Sequence, residues 1–267
     1  MGLVAIFGAG VMGETLLAGL IRAGRRPDEL VVTERRPDRA QELRERHGVA
    51  VVDNVEAAEK ADTLVFVVKP QDMGALCDEI APHVRPGALV VSLAAGITTE
   101  FLESHLPDGC PVVRVMPNTP ALVDQGMAAI SPGAHCDVAH LEEAESLLRA
   151  VGRVVRLEEK HLDAVTAISG SGPAYVFYVA EAMIEAGVFL GLPRSTATEL
   201  VVQTCYGAAT MLRETGEHPS VLRENVTSPG GTTVAALREL DDHKVRAAFI
   251  SALEAARDRS AALATGE

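Results

Sequence analysis

Two short stretches carry residue types that could do chemistry on a ligand. Near the start, "VAIFGAGVMGE" places Gly8, Gly10 and Gly13 as G-x-G-x-x-G, directly behind an apolar run and ahead of a helical one. In that setting the first glycine permits a tight turn, the second lets backbone approach a pyrophosphate, and the third lets a helix pack closely on a strand. The free N–H groups and dipole of the helix start then favour phosphate. The expected ligand is a dinucleotide. Far along the chain, "ENVTSPGGTT" (Glu224 to Thr233) spends ten residues on small, polar, helix-breaking chemistry between segments that read as helix. Ser228 is expected to cap the second of these helices, with Pro229 at its first position. Gly230 and Gly231 would leave its first turn bare, with backbone N–H groups open to a small carboxylate. Thr232 and Thr233 add hydroxyl donors beside them. A plain interhelical turn needs one glycine, so two glycines and four hydroxyl residues in "TSPGGTT" read as a ligand loop.

Three further segments fall where an open sheet binds its ligands, at the carboxyl ends of strands. "VVKPQD" puts Val68, Lys69 and Pro70 after a fourth strand, and "SLAAG" puts Ala94, Ala95 and Gly96 after a fifth. After the second strand comes Glu34, at the spacing where an acid binds the ribose hydroxyls of NAD and repels a 2′-phosphate. Arg35 and Arg36 follow, and arginines suit a 2′-phosphate. Two arginines against one glutamate tilt the reading to NADPH, with NADH as the alternative.

The elements that must position these residues change character partway along. From residue 1 to about 160, the apolar runs "LVAIF", "LVVT", "VAVV", "TLVFVV", "ALVVSL" and "PVVRVM" alternate with helical segments such as "RPDRAQELRERHG". Near-continuous apolar strands separated by helices predict a doubly wound, mostly parallel, Rossmann-like sheet with both faces covered. "GMAAI" and "GRVVRL", flanking a helical "DVAHLEEAESLLRA", are expected to close that domain. From residue 161 to 267 the chain reads as all helix. "GPAYVFYVAEAMIEAGVFLGL" and "PRSTATELVVQTCYGAATMLRETG" each begin near a proline and carry apolar residues around much of their circumference. About 100 residues cannot bury two such helices on every side, so a second copy of the chain is the expected partner.

Composition narrows the function. Over 267 residues the formal net charge is −13, which argues against nucleic acid and anionic membranes as partners. Anionic ligands would then need local positive sites. No apolar run approaches the roughly 18 residues of a membrane span. The N-terminal segment lacks the basic region of a signal peptide and reads as a first strand, so a cytoplasmic location is expected. Cys77, Cys110, Cys136 and Cys205 show no metal-binding spacing and are expected to be reduced and mostly buried, with no metal site. The eight histidines form no catalytic grouping by spacing and read as mainly surface residues.

"HPSVLRENVTSPGGTTVAALRELD" closely resembles the signature of the pyrroline-5-carboxylate reductases, and "MPNTP", "DAVTAISGSGPAY" and "GLPR" resemble that family in order and spacing. The resemblance covers essentially the whole chain. It implies a Rossmann domain, a helical dimerisation domain and often a decamer of five dimers. It also implies reduction of 1-pyrroline-5-carboxylate to L-proline by NAD(P)H. Carried over by motif, it assigns Gly8, Ala9, Gly10, Val11, Met12, Arg35, Asn54, Val68, Lys69 and Ala95 to the cofactor. It assigns Glu159, Asn225, Ser228, Gly230, Gly231, Thr232 and Thr233 to the substrate and nicotinamide region. Many relatives have Asn or Ser where Glu34 stands here, which keeps the choice of cofactor open.

Within that reading, Thr233 is the candidate catalytic group, hydrogen-bonding the imine nitrogen and either relaying a proton or orienting an already protonated imine. Two rival readings fit the residues less well. A β-hydroxyacid dehydrogenase would need a lysine early in the helical domain, but "SGSGPAYVFYVAEA" has none, and the chain's four lysines are Lys60, Lys69, Lys160 and Lys244. A non-catalytic NADP-sensing protein would explain "GAGVMG" and leave "SPGGTT" without a purpose.

Overall fold

The computed structural model describes residues 2–265. The first unit is built on eight strands: β1 (Val4–Phe7), β2 (Leu30–Thr33), β3 (Ala50–Val52), β4 (Thr63–Phe66), β5 (Leu89–Ser92), β6 (Val112–Met116), β7 (Gly126–Pro132) and β8 (Gly152–Arg156). They form one sheet in the order β3-β2-β1-β4-β5-β6-β7-β8. This is the doubly wound, mostly parallel arrangement that the apolar runs predict. The one antiparallel step is β6 to β7. Only the segment Pro117–Gln125 joins those strands, and a parallel crossover needs a dozen or more residues. The chain therefore turns back through a 3-10 helix at Thr119–Val123, with Asp124 in left-handed conformation at φ 58°. Asn118 pins this return by accepting from the Met127 N–H at 2.8 Å and donating to the Ser169 carbonyl at 3.0 Å.

Alternation along the strands sends side chains into two cores, one on each face of the sheet. Val4, Ile6, Val32 and Val65 pack with Leu16, Leu17 and Leu20 of the helix Val11–Arg22. Ala5, Phe7, Leu64 and Phe66 pack on the other face with Met73, Leu76 and Ile80 of the helix Met73–Ile80. Phe7 and Phe66 meet edge to face, centroids 5.4 Å apart. The helix Pro37–His47 begins at its proline and stops at Gly48, which adopts φ 70°, as its sequence predicts.

The first unit extends to Ser171 and is joined by the chain from Ala256 on; the second comprises Gly172–Ala255. Sequence reasoning passed over the turns before Gly172. The α-helix Leu162–Val165 and a π-helical turn at Thr166–Gly170 belong to the first unit, where Asp163 accepts from the Ser260 hydroxyl at 2.7 Å. The second unit is helical throughout, with helices Gly172–Phe189, Arg194–Thr215, Pro219–Asn225 and Thr232–Asp242 and the first half of Val245–Thr265. Gly187 lets the first two approach closely, since a Cβ there would lie 3.0 Å from that of Ala197. Arg194 and Glu185 form a forked pair across the same seam. Ala197 and Val201 are the buried apolar residues of this unit, while Phe177, Tyr178, Phe189, Val202, Tyr206 and Ile250 are exposed. A face this apolar is the mark of a surface that another chain covers. Among the described residues, no helix is long and apolar enough to cross a membrane.

Candidate active site

In-register pairing aligns Phe7 with Thr33 and with Phe66, so β1, β2 and β4 end at one edge of the sheet. The loops that follow therefore open side by side, which is why Gly8, Glu34 and Val68 meet although the sequence separates them. Gly8, Ala9, Gly10, Thr33, Glu34, Arg35, Asn54, Val68 and Lys69 line a cleft of about 320 Å³. Each glycine of the first motif has its own reason to be one. Gly8 sits at φ 97° with its missing Cβ 3.2 Å from the Val67 backbone, and a Cβ on Gly13 would lie 2.1 Å from the Gly8 carbonyl oxygen. A Cβ on Gly10 would meet nothing within 4 Å, so there the glycine leaves the backbone open toward the cleft. The helix Val11–Arg22 then starts with no side-chain cap on its first N–H groups. Those donors suit a pyrophosphate, and Arg35 and Lys69 make no ion pair among the described residues. This donor set fits a phosphorylated dinucleotide.

Not every residue assigned to the cofactor lines that cleft. Val11 is exposed at the helix start, and Met12 turns instead into a small cavity with Leu16, Leu93 and Asn118. Ala95 is exposed just beyond β5. Asn54 is engaged, donating to Glu79 at 2.8 Å. Val67, Gln71, Asp72 and Leu76 complete the lining. Sequence reasoning named only Val68, Lys69 and Pro70 there, although the same post-strand position held the signal for the next two residues.

Glu159 is held inside the first unit. Its oxygens accept from the Thr99 N–H at 2.9 Å, the Thr99 hydroxyl at 2.6 Å and the Arg114 guanidinium at 2.8 Å. Burial pushes its carboxyl pKa up, but the bonds from Arg114 and Thr99 win and leave it below the ordinary range. It ties β6 and the start of the helix Thr99–His105 to the turn after β8. No local pattern encodes this triad, because Arg114 and Thr99 lie 45 and 60 residues from Glu159.

The second glycine segment does not begin as its sequence predicts. Ser228 is not the helix cap and Pro229 is not helical: the helix starts at Thr232, with Gly231 as its N-cap. The four residues before it close a turn, with the Gly231 N–H donating to the Ser228 carbonyl at 3.0 Å. Pro229 and then Gly230, at φ 67°, occupy its central positions, the pattern of a type II turn. Because that turn uses Ser228, Pro229 and Gly230, the helix is delayed by three residues. The helix start is uncapped all the same. Gly231 offers no side chain to cap the first turn of Thr232–Asp242, so its N–H groups stay available to an anion. Thr198, Thr204, Thr210 and Thr215 each donate to the carbonyl four residues back, as does Thr227 to Arg223. Thr232 and Thr233 have no such bond among the described residues, and Thr233 is half-buried. Asn225 ends the preceding helix and is exposed.

The cysteines are free: Cys77 and Cys110 are buried, Cys136 and Cys205 partly so. Burial pushes the Cys77 thiol up to about 12 and that of Cys110 to about 11, which makes them inert. No cluster able to hold a metal exists among the described residues. One histidine is an exception to the mainly surface reading. His47 is 11% exposed and meets Glu14 at 3.0 Å.

Residues 159–263 match the family model for pyrroline-5-carboxylate reductase dimerisation, and residues 3–96 match that for coenzyme F420-dependent NADP oxidoreductase. The chain is 48% identical to a pyrroline-5-carboxylate reductase of Corynebacterium melassecola, over 96% of this chain and 97% of that protein. It is 44% identical to one of Mycobacterium tuberculosis, covering 97% and 96%. The structure of a Coxiella burnetii pyrroline-5-carboxylate reductase superimposes with TM-score 0.95 at 39% identity, over 98% of both chains. That of the Plasmodium falciparum enzyme with NADP bound superimposes with TM-score 0.86 at 29% identity, again over 98% of both.

Proposed function

This chain belongs to the pyrroline-5-carboxylate reductase family, and from that premise we propose how its own residues divide the work. It is an oxidoreductase that reduces 1-pyrroline-5-carboxylate to L-proline with NADPH, the last step of proline biosynthesis. When bound, the reduced nicotinamide supplies the hydride that the C=N carbon accepts. In our reading Gly8, Gly10 and the uncapped start of Val11–Arg22 hold the pyrophosphate, with Val11 and Met12 at that helix start. Arg35 takes the 2′-phosphate, and Lys69 makes the local potential more positive on a chain that is otherwise strongly acidic. Asn54, Val68 and Ala95 shape the walls around the nucleotide. The observation that carries this reading is the convergence of Gly8, Gly10, Arg35, Asn54, Val68 and Lys69 on one cleft.

The second unit holds the substrate. The type II turn ending at Gly231 presents the N–H groups of Thr232 and Thr233 to the carboxylate, with Ser228 and Asn225 beside it. Fixing the carboxylate fixes the reacting carbon, which is where positioning accelerates a hydride transfer. The Thr233 hydroxyl oxygen accepts from the N–H of the protonated imine. A threonine is a weak acid, so its part is orientation of an imine that arrives protonated. Glu159, taken up by Thr99 and Arg114, holds the turn after β8 in place.

The protein acts as a dimer through its exposed helical faces, and we extend this to a decamer of five dimers on the strength of the family resemblance. A cytoplasmic location fits its free, buried thiols. The test is direct: purified protein, NADPH and 1-pyrroline-5-carboxylate should consume the absorbance of the reduced cofactor and yield proline. Absence of turnover would overturn the reading. Arg35→Ala should raise the NADPH KM far more than the NADH KM, because only NADPH carries the 2′-phosphate.

A further inference from the structure

The loop after β2 carries an acid beside two arginines, a combination that sequence alone reads in opposite directions. The structure gives the two arginines different partners. Arg35 lines the cofactor cleft and makes no ion pair among the described residues, whereas Arg36 is absent from the lining. Arg36 is turned onto Glu34: Glu34 Oε1 accepts the Arg36 backbone N–H at 3.0 Å, and the Arg36 Nε lies 3.7 Å from the same oxygen. The Glu34 side chain is 13% exposed and that of Arg36 66%. The acid is thus held in the wall of the cleft with a cation behind it.

An acid at this position ordinarily accepts from ribose hydroxyls and repels a 2′-phosphate. We propose that Arg36 is a positioning residue for cofactor choice: by engaging and neutralising Glu34, it makes the cleft tolerant of the 2′-phosphate that Arg35 receives. Arg36 acts through Glu34, with no contact of its own to the nucleotide. Its removal leaves the turn intact, because the Glu34 bond to the backbone N–H remains and Arg36 provides no side-chain cap to the helix Pro37–His47. The inference rests on the cofactor reading of this cleft given above.

A double-mutant cycle read by calorimetric binding of 2′,5′-ADP and 5′-AMP, without substrate or turnover, tests it. Arg36→Ala should weaken 2′,5′-ADP about fivefold, the size of one screened charge interaction near a surface, and leave 5′-AMP unchanged. In a Glu34→Gln background the same Arg36→Ala change should have no effect, and Arg36→Lys in the parent chain should retain most of the affinity. Equal weakening in both backgrounds would mean that Arg36 meets the phosphate itself and would overturn the proposal. So would unchanged 2′,5′-ADP binding by Arg36→Ala. If the parent chain binds neither fragment, the cofactor reading of the cleft falls, and this inference with it. Thermal melts of each variant report whether any loss reflects the fold rather than the site.

Discussion

The helices Val11–Arg22 and Gly172–Phe189 make an instructive pair. The first buries Gly13, Thr15, Leu16, Leu17, Gly19 and Leu20 against its sheet. The second is longer and more apolar, yet none of its own residues is buried. The difference lies in their surroundings. A helix beside a parallel sheet finds an apolar surface supplied by the same chain, whereas two helices packed mainly on each other leave their outer faces bare. The sheet unit closes its core within one chain. The helical unit needs a second chain to close its own, in agreement with the dimerisation match over residues 159–263.

The largest expected effect attacks the open side of that comparison. Val202→Asp places a charge on an exposed apolar face of Arg194–Thr215 and should abolish assembly and activity together. Sedimentation at low micromolar concentration checks it: a folded, active monomer, from either the parent or the variant, would break the shared-core account. Any residual stability of the helical unit should rise with protein concentration, as mass action requires of an interface.

A smaller effect is expected from the closed side. Leu64 is fully buried on β4, and Leu64→Ala should cost about 2–5 kcal/mol in denaturant unfolding. That loss should not depend on protein concentration. If it does, the sheet unit too draws its stability from assembly, and the contrast between the halves dissolves.

The smallest effect concerns pH. Burial would raise the Glu14 carboxyl, but hydrogen bonds from His47, Arg39 and Arg46 override it and hold the pKa at about 2, against an ordinary 4.5. A depressed carboxylate pKa contributes stability that is fully present above about 4.5 and is lost as pH falls toward about 2. Glu14→Gln should therefore lower the melting temperature by a few degrees at neutral pH. The gap to the parent should shrink through that acid window. A gap that persists unchanged to pH 2 would assign the loss to packing rather than charge.

Much of this was legible in the sequence, for reasons that differ by region. Gly8, Gly10 and Gly13 could be read because each role is local, set by the strand before and the helix after. The buried strands announced themselves as unbroken apolar runs. What escaped depended on partners far along the chain. The reversal of β7 follows from the short return through Pro117–Gln125, which no periodicity encodes. Glu159 is defined by Thr99 and Arg114, and His47 is drawn inward by Glu14, which lies 33 residues before it. Ser228 was misplaced for a local reason: proline followed by glycine closes a turn as readily as it opens a helix. Gly230 in left-handed conformation settles that choice for the turn.

In the proposed division of work, the helical unit contributes the polar groups that orient the substrate and the sheet unit holds the nucleotide. Thr233→Val tests it most directly, since it keeps the shape and removes only the hydroxyl. Steady-state kinetics with 1-pyrroline-5-carboxylate, together with a fluorescence titration of NADPH, separate the two contributions. The account predicts that kcat and kcat/KM fall about 10²–10³-fold, as for loss of one transition-state hydrogen bond, while the NADPH Kd is unchanged. Near-normal turnover by Thr233→Val would contradict it.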